Sequence, residues 1–286
     1  MHTTKSLAII CVLLGLTLSV GSTYAITGNY KPDNVHSCVG LAVYYIIDAD
    51  GNAVPVQVSS AVLISPRAAL TAAHSAVVES VALCFDAGPI TWTVEDGELV
   101  LDGVTAVYTG LAYPNPEFAM NLQGQGSISS VVYRDVGLIV LDEAVPSTVV
   151  SEYGQLPTAG LVDSLKVNTP VTLVGYGMQE HLSPRKVGVE NTWVGLLMRT
   201  SASSKLLSNN FAWSDEFIRC SANPGNGRGG IAYGDSGGPV FLGNTTVILA
   251  VNSYVTNPNC AGQTYHSRID IPEVLDWINV EVNSID

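Results

Sequence analysis

The sequence predicts an all-β chain, a barrel or a sandwich. Two observations carry that prediction. Short runs rich in Val, Ile, Tyr and Thr recur at residues 41–47, 54–64, 136–141, 171–174, 247–251 and 265–269. Each run is bounded by Gly, Asn, Asp or Pro, the residues that punctuate strands. Asp48-Ala49-Asp50-Gly51-Asn52 separates the first two runs. It lacks the glutamate of a calcium loop, and Asp-Gly between two strand-like runs is a hairpin signal. The stretch 144–165 is loop-like, with Pro146, Gly154, Pro157 and Gly160, and is expected to cross between two halves of the fold. After the last run, Asp270 can cap a C-terminal helix with Pro272 in its first turn. Val274, Leu275, Trp277 and Ile278 would then pack back on the second half.

The first residues read as a targeting segment rather than as fold. His2 and Lys5 precede an apolar run from Leu7 to about Val20, and Thr23-Tyr24-Ala25 puts small residues at cleavage positions. This is the pattern of a secretory signal peptide spanning residues 1–25. The run is shorter than the roughly 20 residues of a membrane span, so no stable membrane anchor is expected. Cleavage would leave 261 of the 286 residues, with 11 basic against 25 acidic side chains and a formal charge of −14. So acidic a chain argues against nucleic-acid or anionic-membrane partners. The expected location is secreted, extracellular or periplasmic.

Cys11 would leave with the leader, and Cys38, Cys84, Cys220 and Cys260 would remain. Four cysteines in an oxidising compartment suggest two disulfides, with three possible connectivities. They are far apart and lack any Cys-x-x-Cys or His pairing, so no metal site is expected.

The chemistry lies in three motifs. Gly234-Asp235-Ser236-Gly237-Gly238-Pro239 sets a serine among glycines. A serine hydroxyl is a weak nucleophile until a base takes its proton, and glycines let backbone N–H groups approach a developing oxyanion. Thr71-Ala72-Ala73-His74 supplies a base, and Arg134-Asp135-Val136-Gly137 a carboxylate that opens an apolar run. Asp142, which follows that run, is the competing carboxylate.

The order His74, Asp135, Ser236 resembles that of the chymotrypsin-like (trypsin-fold) serine proteases. Smaller segments are similar too. They include Leu63-Ile64-Ser65-Pro66, Val174-Gly175-Tyr176-Gly177, Asn252-Ser253-Tyr254, Tyr265-His266-Ser267-Arg268-Ile269 and the 272–278 segment. The resemblance runs from about Ile26 to the end. It implies two six-stranded antiparallel β-barrels with a C-terminal helix. The first barrel is expected over about 26–145, the crossing over 146–166, the second barrel over 167–269 and the helix over 271–282.

The resemblance also assigns roles. Ser236 would be the nucleophile, His74 its base, and Asp135 the group that orients the imidazole. The N–H groups of Gly234 and Ser236 would form the oxyanion hole, and Ser253 would support Asp135. Ile26-Thr27-Gly28-Asn29 resembles the family's mature start, so the Ile26 α-ammonium is expected to pair with Asp235, activated by leader removal itself. Cys220–Cys260 would be the bridge at the specificity pocket, with Cys38–Cys84 as the second pair. The family's bridge beside the histidine is absent, because Ser59 and Ser75 stand there.

Gly230, Val255 and Thr264 align with the pocket. Without an acid at Gly230, and with bulkier walls, they imply small aliphatic residues before the scissile bond, as in elastase-like members. A shifted alignment of the 223–230 loop would instead let Arg228 or His266 face the pocket and favour an acidic residue. The implied activity is a secreted serine endopeptidase, monomeric and without cofactor, with protein or peptide substrates and protein inhibitors as partners. The rival readings are a catalytically silent binding protein of the same fold and an esterase using the same triad. The esterase is disfavoured because the chain lacks the strand–Gly-x-Ser-x-Gly–helix context and the Ser-Asp-His order of α/β-hydrolases.

Overall fold

In a computed structural model of the chain, residues 26–121, 131–182, 192–208 and 215–285 are described; the leader expected at 1–25 lies outside them. Twelve strands make two barrels. The first six are β1 (Val39–Ile47), β2 (Ala53–Ser65), β3 (Ala68–Thr71), β4 (Ser80–Cys84), β5 (Tyr108–Pro114) and β6 (Gly137–Leu141). They close in the order β6–β3–β2–β1–β4–β5, all antiparallel. The second six are β7 (Pro170–Gly175), β8 (Thr200–Ser208), β9 (Phe217–Ala222), β10 (Pro239–Leu242), β11 (Ile248–Val255) and β12 (Gly262–Arg268). They run β7–β10–β11–β12–β9–β8, and β8 returns to β7. Closure removes the exposed edges that a β-rich chain must otherwise protect.

Alternation of side chains fills each interior. Leu41, Val43, Val62, Leu70, Leu83 and Leu138 are buried in the first barrel. Leu173, Leu206, Ile218, Val240 and Leu249 are buried in the second. Truncating one such leucine to alanine typically costs about 2–5 kcal/mol. The expected hairpin holds at Asp48, whose carboxylate accepts from the N–H groups of Asp50 and Asn52 and closes the turn between β1 and β2.

Four expectations need correction. The first barrel begins at Val39, not Ile26: Thr27–Gly28 pairs with Gly229–Gly230, and Tyr30–Pro32 adds to the edge of β8, so this arm lies on the second barrel. The C-terminal helix (Pro272–Asn283) is present, but Asp270 does not cap it; the N-cap is Ile271, without a side-chain bond. The Asp270 carboxylate instead accepts from the N–H of Val162 in the crossing segment and pairs with Arg268, because that N–H would otherwise be buried unsatisfied. The helix also does not pack on the second barrel alone. Val274 and Ile278 enter the apolar cluster that extends from the first barrel, and Arg67 of that barrel donates to the Ile285 carbonyl.

The fourth correction concerns the cysteines. Cys38, Cys84, Cys220 and Cys260 are all free and buried, and neither Cys220–Cys260 nor Cys38–Cys84 is formed. Strand register explains this. Cys220 lies opposite Thr264, four residues beyond Cys260, and Cys84 lies opposite Leu41, three residues beyond Cys38. Neither pair is thus in register: Cys260 sits before β12 in a left-handed turn with φ 49°, and Cys38 precedes β1. Burial pushes the Cys38, Cys84 and Cys260 thiols up to about 12. They should therefore resist iodoacetamide in the folded protein near neutral pH and react once the chain unfolds without reductant. Recovery of either disulfide-linked peptide pair by mass mapping would reverse this correction.

Candidate active site

Strand register builds the site. Thr71, at the end of β3, lies opposite Gly137, at the start of β6. His74 follows the first strand within the single turn Ala73–Ala76, and Asp135 precedes the second, so their side chains meet. Gly137 is needed there, because a Cβ would sit 2.8 Å from Ala76 Cβ. Arg134 turns the chain into Asp135 with φ 51°, a left-handed conformation costly for a non-glycine residue. Its nearly buried guanidinium pairs with Glu117 at 3.2 Å, Glu216 at 3.6 Å and Glu273 at 3.7 Å, which fixes that turn.

Asp135 is fully buried and accepts three kinds of donor. The His74 backbone N–H reaches Oδ1 at 2.9 Å. The imidazole Nδ1 lies 2.9 Å from Oδ2 and 3.1 Å from Oδ1. Ser253 donates its hydroxyl to Oδ2 at 2.5 Å. Ser253 is the extra residue of a bulge between Asn252 and Tyr254, which aims it out of the ladder at the carboxylate. Burial alone would raise the Asp135 carboxyl, but the His74 charge and these bonds hold it below the usual carboxylate range. An ionised carboxylate can only accept, so Nδ1 carries the proton and Nε2 is left as an acceptor. Nε2 lies 2.9 Å from Ser236 Oγ. Burial disfavours the imidazolium, yet Asp135 outweighs it and the His74 pKa lies above its ordinary value.

The Ser236 turn is held from the opposite barrel. The N–H of Ser60 and the hydroxyl of Ser59 both donate to the Ser236 carbonyl, at 2.8 and 2.7 Å. Ser60 Oγ donates to the Gly234 carbonyl at 3.0 Å. Gln57 donates to Ser75 Oγ, and Ser75 lies 2.9 Å from Ser59. Since Ser59 spends its proton on Ser236, Ser75 must donate to Ser59. A hydroxyl chain thus occupies the place where the sequence lacks a bridge. Gly237 has φ 78°, and a Cβ there would collide with the Ser60 carbonyl and the Thr71 hydroxyl. Among the described residues, the N–H groups of Gly234 and Ser236 make no backbone hydrogen bond.

Of the residues aligned with the pocket, Thr264 lies near both Val255 and Gly230. Val255 and Thr264 are opposite one another on β11 and β12. A Cβ on Gly230 would overlap Ala222 Cβ and lie 3.2 Å from Thr264 Cγ2. Ile26 and Asp235 are both fully buried. The Asp235 carboxylate accepts from the N–H groups of Ala232 and Gly177, each at 2.8 Å, and no cation pairs with it among the described residues. Burial raises it to about 7. Asp142 is exposed and bonds Thr109, away from the site. His266 is buried between Thr264 and Asn252. Among the described residues no cluster of His, Cys, Asp or Glu could hold a metal, and no helix is long and apolar enough to cross a membrane.

Sequence reasoning missed three contributors. Ser60 is named by no motif, Arg134 lies in the Asp135 motif without a role of its own there, and the role of Ser59 appears only through a contact 177 residues distant.

A family model described as Trypsin matches residues 48–278. The chain belongs to the Trypsin family. Solved structures with the same fold include HL collagenase, at 16% identity and TM-score 0.60, covering 90% of this chain and 97% of that one. GrC is similar at 16% identity and TM-score 0.61, covering 90% and 100% of the two chains. A mutant of human heparin binding protein (CAP37) follows at 17% identity and TM-score 0.56, covering 88% and 94%. No curated protein sequence matches the chain.

Because Asp135 is what raises the His74 pKa, Asp135→Asn should bring it down, as burial then acts unopposed. Imidazole titration by NMR measures this directly. An unchanged midpoint would contradict the assigned cause.

Proposed function

We propose that this Trypsin-family chain is an active, secreted serine endopeptidase. The observation that carries the reading is the hydrogen-bonded line Ser253–Asp135–His74–Ser236, with the base tautomer set by a buried carboxylate. Ser236 Oγ attacks the scissile carbonyl as His74 Nε2 takes its proton. Asp135 stabilises the imidazolium. The free N–H groups of Gly234 and Ser236 receive the oxyanion, each contributing a factor of roughly 10²–10³ in rate. His74 then returns its proton to the leaving amine, and water releases the acyl group from Ser236.

The pocket favours small aliphatic residues before the scissile bond. Val255 and Thr264, opposite one another on β11 and β12, are bulkier walls than glycine. No acid lies at the base to offset the desolvation of Lys or Arg. A silent binding protein is the second reading, since one structural neighbour is named for binding heparin. The net charge of −13 opposes a polyanion, and the complete triad supports catalysis.

A fluorophosphonate should label Ser236 and not the Ser236→Ala protein, whose turnover should fall on the order of 10⁶-fold. In a peptide panel Ala and Val should lead, with discrimination of roughly 10–200-fold per methylene. Activity should fall in acid as His74 protonates, with a midpoint above the ordinary histidine value. Equal labelling of Ser236→Ala, or dominant cleavage after Lys or Arg, would refute the corresponding part.

Leader cleavage before Ile26 is proposed as the activating step. The Ile26 α-ammonium would then neutralise Asp235, a carboxylate now buried without a cation. A carboxyl raised to about 7 binds a proton in the folded state that the unfolded chain has released. The unprocessed chain should therefore lose stability as pH rises from about 4 to about 7, and the chain starting at Ile26 should lose less. Thermal unfolding of both forms measures the difference. Fully active enzyme that retains residues before Ile26 would exclude the mechanism.

A further inference from the structure

The residue before Asp135 is gripped from the opposite barrel. Arg134 is left-handed, with φ 51°. The Val136 N–H donates to the Arg134 carbonyl at 2.7 Å, which makes Asp135 the middle of a three-residue turn. An aspartate side chain turns about only two bonds, so its carboxylate goes where this backbone sends it. A left-handed arginine does not stay in place by its own preference, and its surroundings must hold it.

Glu216 holds it at two points. Its carboxylate lies 3.6 Å from the Arg134 guanidinium. Burial raises the Glu216 carboxyl above its ordinary value, and the guanidinium and the backbone N–H of Arg134 both act against that rise, so both face this carboxylate. Glu117 and Glu273 also pair with the guanidinium, but their side chains are 59% and 68% exposed, against 13% for Glu216. Exposed pairs are screened by solvent and contribute little. Of the three carboxylates, Glu216 therefore has the firmest hold.

Glu216 also stands on the sheet that presents Ser253. Its carbonyl accepts from the N–H of Arg268, at the end of β12, at 2.9 Å. Phe217, which opens β9, lies opposite Ser267 on β12. The Phe217 ring meets Tyr254, the residue after Ser253, edge-on at 5.4 Å between centroids. One ladder, β9–β12–β11, thus reaches the Asp135 turn twice. Ser253 takes the carboxylate, and Glu216 takes the residue before it.

We propose that Glu216 is a positioning residue of the triad: by holding Arg134 across the barrel interface it sets where Asp135 presents its carboxylate to His74. Glu216 touches no reacting atom. The proposal rests on the endopeptidase reading for its effect on turnover, and on geometry alone for its effect on His74. Asp135 is the charge that raises the His74 pKa, so a displaced Asp135 registers there whether or not a substrate is present.

Two conservative variants of the mature protein separate reach from charge. Glu216→Asp keeps the charge and draws the carboxylate back by one methylene. Glu216→Gln loses the charge and keeps an oxygen within reach of the Arg134 N–H. In Glu216→Asp the His74 midpoint, read by NMR titration, should fall. Its kcat should drop about 10–100-fold with KM unchanged, as for a reacting group misplaced by a fraction of an ångström to an ångström. In Glu216→Gln both should stay close to wild type. Leu206→Ala, a core truncation in the second barrel, should lower Tm and leave the midpoint where it is. A merely structural Glu216 would lower Tm in its variants without moving the midpoint or kcat, which overturns the proposal. So does a loss in Glu216→Gln that Glu216→Asp does not share, since that assigns the effect to charge. Wild-type protein that neither hydrolyses peptides nor takes the fluorophosphonate would refute the endopeptidase reading, and the His74 midpoints of the two variants would still decide the role of Glu216.

Discussion

The Ser236 carbonyl is held by the barrel that does not contain it, and the rest of the site depends on that contact. Ser59 and Ser60 of β2 reach across the interface with a hydroxyl and an N–H to one oxygen. Ser60 Oγ also takes the Gly234 carbonyl while accepting from the N–H of Tyr176. These bonds fix the 234–236 segment, in which the Asp235 N–H bonds the Ala232 carbonyl while those of Gly234 and Ser236 make no backbone hydrogen bond. Each bond is worth only about 1 kcal/mol net, but leaving such a buried carbonyl unpaired would cost roughly 1–3 kcal/mol. Misdocked barrels are therefore penalised at the atoms that chemistry requires.

Two buried carboxylates, one on each side of this contact, show how environment assigns roles. Asp135 meets three donors, one of them an imidazole, and its pKa is held down despite burial. Asp235 meets two backbone N–H groups and no cation, and burial prevails. The difference is not depth, since both are fully buried. It is the presence of a partner able to carry positive charge. The first carboxylate is complete as it stands. The second has only neutral partners among the described residues.

What the sequence made legible follows the range of the interactions concerned. His74, Asp135 and Ser236 were readable because each lies in a local motif whose glycines and alanines must fit a close approach, as Gly137 and Gly237 do. Strand positions were readable because β-branched runs and turn residues act locally; β1, β2 and β6 fall within a few residues of expectation. The two barrels came from family resemblance, not periodicity. Cysteine pairing was misjudged because flanking Ser236 in sequence says nothing of offset along a ladder. Asp270 was misassigned because its position suits a cap, yet a buried N–H at Val162, 108 residues away, competes for it. The arm at Thr27–Pro32 was placed with the wrong barrel because two- and three-residue strands carry no pattern of their own.

The serine pair at Ser59 and Ser75 changes what this fold rests on. The family's covalent tie at that point is replaced by a directed chain, Gln57 to Ser75 to Ser59 to the Ser236 carbonyl. It links the turn bearing His74 to the Ser236 peptide, through β2. A disulfide there would fix a distance; the hydroxyl chain fixes an orientation, because each proton has a single available acceptor. The remaining cysteines behave as small apolar side chains in the two cores. With the thiols pushed far above neutral pH by burial, the geometry of the site rests on packing and hydrogen bonding.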